Sequence, residues 1–205
     1  LTGLATATVR SWTKPGGTEL VQKAAPRGLS FLNLVELHVL ASIRKQHQLS
    51  LLNVRHAVDY VRRALKTDHP LAEQQFETDG VDLFVRELDD TLVNASRQGQ
   101  VAIKDLVTAY LKRIERAPDG FPLRLFPVYR HDVDTPQEVR QAPSFIAVDP
   151  AIAFGRPILA EGSVPVDVIV SRYRAGDSIS ELVEDYSLTY QAVEEAIRYE
   201  LGNAA

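Results

Sequence analysis

The five histidines are His38, His47, His56, His69 and His131, and none sits in a His-Glu-x-x-His frame or beside a carboxylate cluster at ligand spacing. His131-Asp132-Val133-Asp134 is the one group that could offer a metal several donors. It lies in a polar, proline-bearing stretch that reads as solvated loop. Asp89-Asp90 and Glu194-Glu195 pair carboxylates as general acid–base work requires. Adjacent residues on a helix diverge by about 100°, however, so solvated faces are the expectation. Without cysteine, thiol nucleophiles, cysteine-ligated zinc, iron–sulfur clusters and disulfides are all excluded. The sequence has no glycine-rich phosphate loop and no nucleophile elbow. These residues predict binding rather than catalysis, with no catalytic residue, no metal and no cofactor.

The binding chemistry is concentrated at the front. Residues 1–63 contain Arg10, Lys14, Lys23, Arg27, Arg44, Lys45, Arg55, Arg62 and Arg63 against Glu19, Glu36 and Asp59, a charge of +6. The chain totals −4, so the remainder carries −10. That asymmetry suggests a polyanion-binding front, a plain charge imbalance being the other reading. Thr6, Thr8, Arg10, Ser11 and Lys14 supply the short hydroxyl and long cationic donors that phosphates and base edges require. Lys23 and Arg27 could extend the contact from the following loop, and a merely solvated basic helix is the alternative. Trp12 shares a face with Val9, which predicts a core residue rather than a stacking platform. From 177 to 200 the sign reverses, with seven carboxylates against Arg198 alone. Phosphate would be repelled there, so that end is expected to bind protein or to dimerise.

The elements that must position these residues can be read from the pattern. A length of 205 residues, 45% of them hydrophobic and 24% charged, suits one large globular domain or two to three small ones. No apolar run approaches the ~18 residues of a membrane span. Residues 1–13 lack the apolar core of a signal peptide, and a cytoplasmic location is expected. Methionine is absent even at position 1, so the native chain is expected to start earlier. Residues 1–13 read as the back half of a helix-turn-helix, with Gly3 closing one helix and Thr6 capping the next. Residues 14–28, opened by Lys14-Pro15-Gly16-Gly17, read as a wing or loop. Ser30 caps a helix to about residue 46. Ser50 caps a second one, stopped by Pro70. Its Leu51, Val54, Val58, Val61 and Leu65 form a heptad seam, for a second copy or for the preceding helix.

In the middle, Asp79-Gly80 predicts a hairpin over 76–84. Val101, Ile103, Leu106, Val107, Tyr110, Leu111 and Ile114 predict one helix ended by Pro118-Asp119-Gly120. Two prolines make 121–129 an edge strand, and 131–143 reads as linker. At the rear, strands are expected at 145–150 and 155–160, then a helix over 166–175 ended by Gly176. Ser178 and Glu181 form a capping box, and Thr189 caps a final helix with Val193, Ala196, Ile197 and Leu201 inward. The expected fold is mainly α with small β elements. It comprises an N-terminal winged helix-turn-helix (1–70), a mixed α/β middle segment (71–143) and a C-terminal tri-helical, helix-turn-helix-like domain (144–205).

The run Thr8-Val9-Arg10-Ser11-Trp12, the glycine-containing loop and Leu49-Ser50-Leu51 together resemble the MerR-type winged helix-turn-helix. Gly155-Arg156-Pro157-Ile158-Leu159-Ala160, Val164-Pro165-Val166, Ala175-Gly176-Asp177-Ser178-Ile179 and Leu182-Val183-Glu184-Asp185-Tyr186 resemble the small tri-helical domain of many bacterial antitoxins. The chain departs from that pattern at Glu161-Gly162-Ser163, where a basic turn is usual. In this order the two parts resemble the long VapB-type antitoxins. The resemblance implies a PIN or PIN-like ribonuclease toxin as partner, and operator DNA bound through Thr6, Thr8, Arg10, Ser11, Lys14, Lys23 and Arg27. Reading two half-sites implies a homodimer. For the toxin it implies basic side chains reaching toward an acidic active site (Arg172, Arg174, Arg198), with Tyr173, Tyr190 and Tyr199 as aromatic anchors. The rival reading is a stand-alone MerR-like regulator answering a small molecule held in the middle segment.

Overall fold

Local capping signals set many of the helix ends in the computed structural model, which describes residues 2–16, 19–24, 28–44, 49–91, 97–129 and 133–203. Arg27, His47, His131 and Asp132 lie outside the described residues, as do the side chains of Asp89 and Asp90. Helix α1 spans Thr6–Trp12 and is entered through Gly3, whose φ of +69° only glycine adopts freely. Ala5, in extended backbone, holds the cap position, so Thr6 is already one residue inside and does not cap. Helix α1 is the one helix before residue 31 among the described residues.

Of the expected wing or loop, the described residues show a loop that straps across α1. Among the described residues of 14–30 there is no strand. Leu20 and Val21 are buried, and their N–H groups both donate to the Trp12 carbonyl, at 2.8 and 3.0 Å. Helix α2 (Phe31–Arg44) ties down the rest of this strap. Its Asn33 carboxamide accepts from the N–H groups of Ala24 and Ser30 and donates to the Gln22 carbonyl at 2.6 Å. The hydroxyl of Ser30 in turn accepts from Asn33 N at 3.2 Å, capping α2 as expected.

Helix α3 (Leu51–Leu65) begins at Ser50, whose hydroxyl accepts from Asn53 N at 3.1 Å. It ends at Lys66 in left-handed backbone, ahead of Pro70, which opens a 3-10 turn over Pro70–Ala72. The 76–84 hairpin does not form. Phe76–Gly80 is a wide π turn running straight into α4 (Val81–Thr91). Phe76, Val81, Phe84, Val85 and Leu88 are all buried, and helical backbone brings them onto one side. A β-carbon on Gly80 would lie 2.7 Å from Cδ2 of Phe76, so this glycine serves close packing rather than a two-residue turn. The middle of the α3 seam packs against α4, with Val54, Val58 and Val61 buried and Leu51 left exposed.

Helix α5 (Arg97–Leu111) buries Leu106, Val107, Tyr110 and Leu111 but leaves Val101 exposed. The helix stops short of Ile114, which opens strand β1 (Ile114–Arg116). Arg113 marks the change: its guanidinium donates to the carbonyls of Phe126, Ala142 and Pro143 at 3.0, 2.8 and 2.8 Å. Pro118-Asp119-Gly120 therefore turns β1 into β2 (Pro122–Leu125) rather than ending a helix. Strand β2 is not an edge. The antiparallel sheet runs in the order β1, β2, β3 (Ile146–Val148), β4 (Pro157–Leu159), and β2 meets β3 at Leu125 and Val148. Pro122 is tolerated there because it sits where the β1–β2 register shifts. The expected linker holds helix α6 (Pro136–Gln141), opened by a Thr135–Glu138 capping box, with Val139 buried.

The rear follows the sequence closely. Helix α7 is Val166–Ala175, ended by Gly176 at φ +111°. Helix α8 is Ile179–Tyr186, with the Ser178–Glu181 capping box formed. Helix α9 is Tyr190–Asn203, and Thr189 Oγ1 accepts from Ala192 N at 3.3 Å. Leu201 is exposed, not inward. The whole is mainly helical with one small antiparallel sheet. One core runs from Trp12 through Leu125, across residue 70, and a second lies under α7–α9. No helix among the described residues is long and apolar enough to cross a membrane.

Candidate functional site

Helix α1 is a short, polar-faced helix anchored by one ring. Trp12 is buried and Val9 packs on the same core, which turns Thr6 and Arg10 outward and leaves Thr8 and Ser11 half-buried. Lys14 follows the helix in the open, and the strap carries exposed Lys23 back toward the Trp12 end through the Leu20 and Val21 hydrogen bonds. Among the described residues no carboxylate neutralises Arg10, Lys14 or Lys23. The face offers hydroxyls and three exposed cations, which is the donor chemistry of phosphate contact.

Beneath the strap lies a polar cluster that sequence reasoning missed. Glu36 Oε2 meets His69 Nδ1 at 3.0 Å, while Glu36 Oε1 is buried without a hydrogen-bond partner. Arg62 pairs with Asp59 and donates from Nη2 to the Leu20 carbonyl at 3.2 Å. Burial pushes the Glu36 carboxyl above its ordinary range. The hydrogen bond from Glu36 raises His69 as well. The signal was present in the sequence: Glu36 interrupts the run Leu34-Val35-Leu37, where a lone acid needs a partner. His38, two residues further along α2, is buried and neutral. Desolvation lowers it to about 3, and its Nε2 lies 3.2 Å from the Tyr110 carbonyl.

At the rear, a short turn joins α8 to α9, and α9 begins on a carboxylate. Glu161 Oε2 accepts from Thr189 N at 3.1 Å and from Thr189 Oγ1 at 2.8 Å. That acid occupies the helix N-terminus where a phosphate would otherwise be welcome. Two of the three candidate arginines are engaged within the chain. Arg172 pairs with Asp177 and Asp185 at 2.5 and 2.6 Å and lies over the Tyr186 ring. Arg198 pairs with Glu194 and Glu195. Arg174 is exposed beside a groove it shares with Asp167, Ser171 and Glu200. Tyr199 is corrected from anchor to core: it is 5% exposed and stacks edge-on against Tyr129, whose hydroxyl donates to Glu195 at 2.7 Å. Tyr173 and Tyr190 are exposed, and the Tyr190 hydroxyl reaches Ser180 at 2.9 Å. Among the described residues no three His, Asp or Glu side chains are grouped to hold a metal.

Residues 146–199 match the family "Protein of unknown function (DUF433)". A relative from Mycobacterium tuberculosis named "Putative antitoxin VapB45" is 24% identical over 181 residues, covering 82% of this chain and 70% of its own. The chain is thus antitoxin-like over most of its length. The crystal structure of Rv2018 from Mycobacterium tuberculosis superposes with a TM-score of 0.72 at 20% identity, covering 95% of this chain and 91% of that one. That likeness extends the fold across both cores.

Proposed function

We propose that the chain is the antitoxin of a toxin–antitoxin pair, a dimer that neutralises a PIN or PIN-like ribonuclease by direct binding and represses its own operon. The observation that carries this is the likeness to an antitoxin over 82% of the chain, which reaches beyond the rear domain into the basic front. In this reading the protein is a non-enzymatic regulator acting in the cytoplasm. Residues 1–70 bind the operator through Thr6, Thr8, Arg10, Ser11, Lys14, Lys23 and Arg27. Residues 71–143 join that part to the toxin-binding residues 144–205. Tyr173, Arg174 and Tyr190 are the exposed side chains there that suit a protein partner. Arg172 and Arg198 would reach it only by giving up their carboxylates.

The test is co-expression of the full chain with the product of the adjacent gene. A ribonuclease-like neighbour that co-purifies, and whose toxicity the chain relieves, supports the reading. A neighbour that neither binds nor arrests growth overturns it and favours a stand-alone regulator.

A further inference from the structure

The turn between β3 and β4 holds Phe154 with its side chain 100% exposed. Ala153, Phe154 and Gly155 are successive left-handed residues, with φ of +48°, +57° and +74°. Backbone of this kind disfavours a residue with a β-carbon, and water disfavours an exposed aromatic ring, so two unfavourable choices coincide at one position. The turn is also fixed. Ile152 N donates to the Asp149 carbonyl at 3.1 Å, Gly155 N to Ile152 at 3.0 Å and Arg156 N to Ala153 at 3.2 Å.

Phe154 and Gly155 form one wall of an open groove of about 470 Å³ lined chiefly by Leu29, Phe31, Leu34, Leu37, Val148 and Pro150. Ser30 supplies the one polar side chain of the lining, and its hydroxyl is already engaged in capping α2. Small-molecule sites fix their ligands with convergent polar groups, and this groove has none to spare. An apolar side chain suits it. Knob and groove moreover belong to the same patch of the same chain, the condition for an isologous interface.

We infer that this patch is the homodimer interface, with the Phe154 of each copy seated in the other copy's groove. This deepens the dimeric reading above and rests on it. The seam of α3 cannot serve, because Val54, Val58 and Val61 are buried within the chain. Two such rings with the surfaces they cover bury about 600–1,000 Å², against the ~1,200 Å² at which specific interfaces begin. Leu29, 43% exposed at the rim, adds to this.

The test is sedimentation equilibrium of the full chain over a broad concentration range, with Phe154→Asp and Leu29→Asp beside it. Both sites are exposed, so folding is retained and is checked by circular dichroism. The wild type is expected to be dimeric, and Phe154→Asp to raise the dimer Kd on the order of a hundredfold or more, as for a buried aromatic hot spot. The absence of native cysteine allows a second readout. Copies carrying Phe154→Cys, mixed with copies carrying Leu29→Cys, should form a disulfide-linked heterodimer. A monomeric wild type overturns the dimer itself. A dimeric wild type whose variants stay dimeric and uncross-linked overturns only this assignment of the surface. Variants that stay dimeric but release the toxin assign the groove to the toxin instead.

Discussion

Glu161 does at residue scale what its charge alone would not reveal: it caps α9 from another turn, through both the N–H and the hydroxyl of Thr189. Removing such a cap costs about 0.5–2 kcal/mol. Glu161→Ala is therefore expected to lower the melting temperature by a few degrees in calorimetry, about 2–4 °C per kcal/mol at this chain length. Thr189→Ala should do much the same, and the double variant should fall short of the sum because the two share one cap. Buried His38 and half-buried His69 act in opposite directions. His69 is raised, so its contribution is complete below the ordinary value of 6.5 and lost as pH climbs through its folded value; Glu36, also raised, has the same sign. His38 is lowered to about 3, so its contribution is complete above 6.5 and lost as pH falls toward 3. Stability should therefore fall on the acid side as buried His38 is forced to take up a proton, and on the alkaline side as His69 loses its own. Glu36→Gln should flatten the alkaline limb measured by urea melts while leaving the acid limb in place. An unchanged alkaline limb would show that the Glu36–His69 pair does not set it.

Element by element, α1 depends on Trp12 more than on its own seven residues, since so short a helix is marginal alone. Trp12→Ala removes a buried ring, with a cost of about 3–5 kcal/mol expected. Hydrogen exchange should show faster exchange over 6–24 while α7–α9 stay protected. Gly80→Ala tests the π turn. Its β-carbon meets Phe76, which is fully buried, so a loss of about 1–3 kcal/mol is expected, and a neutral result would mean the ring can move aside. The elements legible in the sequence are those whose ends are set locally. Ser30, Ser50, Ser178 with Glu181, and Thr189 each accept the backbone N–H that their residue type predicts. The misread elements are those where distant packing overrides a local cue. Asp79-Gly80 looks like a hairpin turn until the burial of Phe76 and Phe84 is known. Residues 131–143 look like linker until Val139 finds Tyr110 and Val133. Periodicity puts Leu201 inward, while residue type alone makes Thr6 a cap and Tyr199 an exposed anchor; packing and backbone reverse all three. The Phe154 groove could not be seen in sequence, because its walls come from α2 and from a turn some 120 residues later.

Across the whole molecule, charge is segregated: +6 in residues 1–63 and −10 in the rest. At physiological salt the Debye length is about 8 Å, so a phosphate backbone at α1 feels the front cations and little of the distant acids. DNA should then approach one way round. The proposed function requires that operator affinity be electrostatic in origin, falling on a log–log plot against salt with a slope of about −0.9 per phosphate neutralised. Arg10 is exposed on α1, so Arg10→Ala should weaken binding and make that slope shallower by about one per bound copy. Arg174 is equally exposed but sits on the acidic rear, between Asp167 and Glu200, so Arg174→Ala should leave both affinity and slope unchanged. Filter binding or fluorescence anisotropy across a salt series measures both quantities on folded, full-length protein. Equal losses from the two substitutions would mean that any exposed cation matters, and the assignment of DNA to the front would fall. A loss confined to Arg174→Ala would place the polyanion on α7, where the summed charge is against it, and would overturn the charge argument itself.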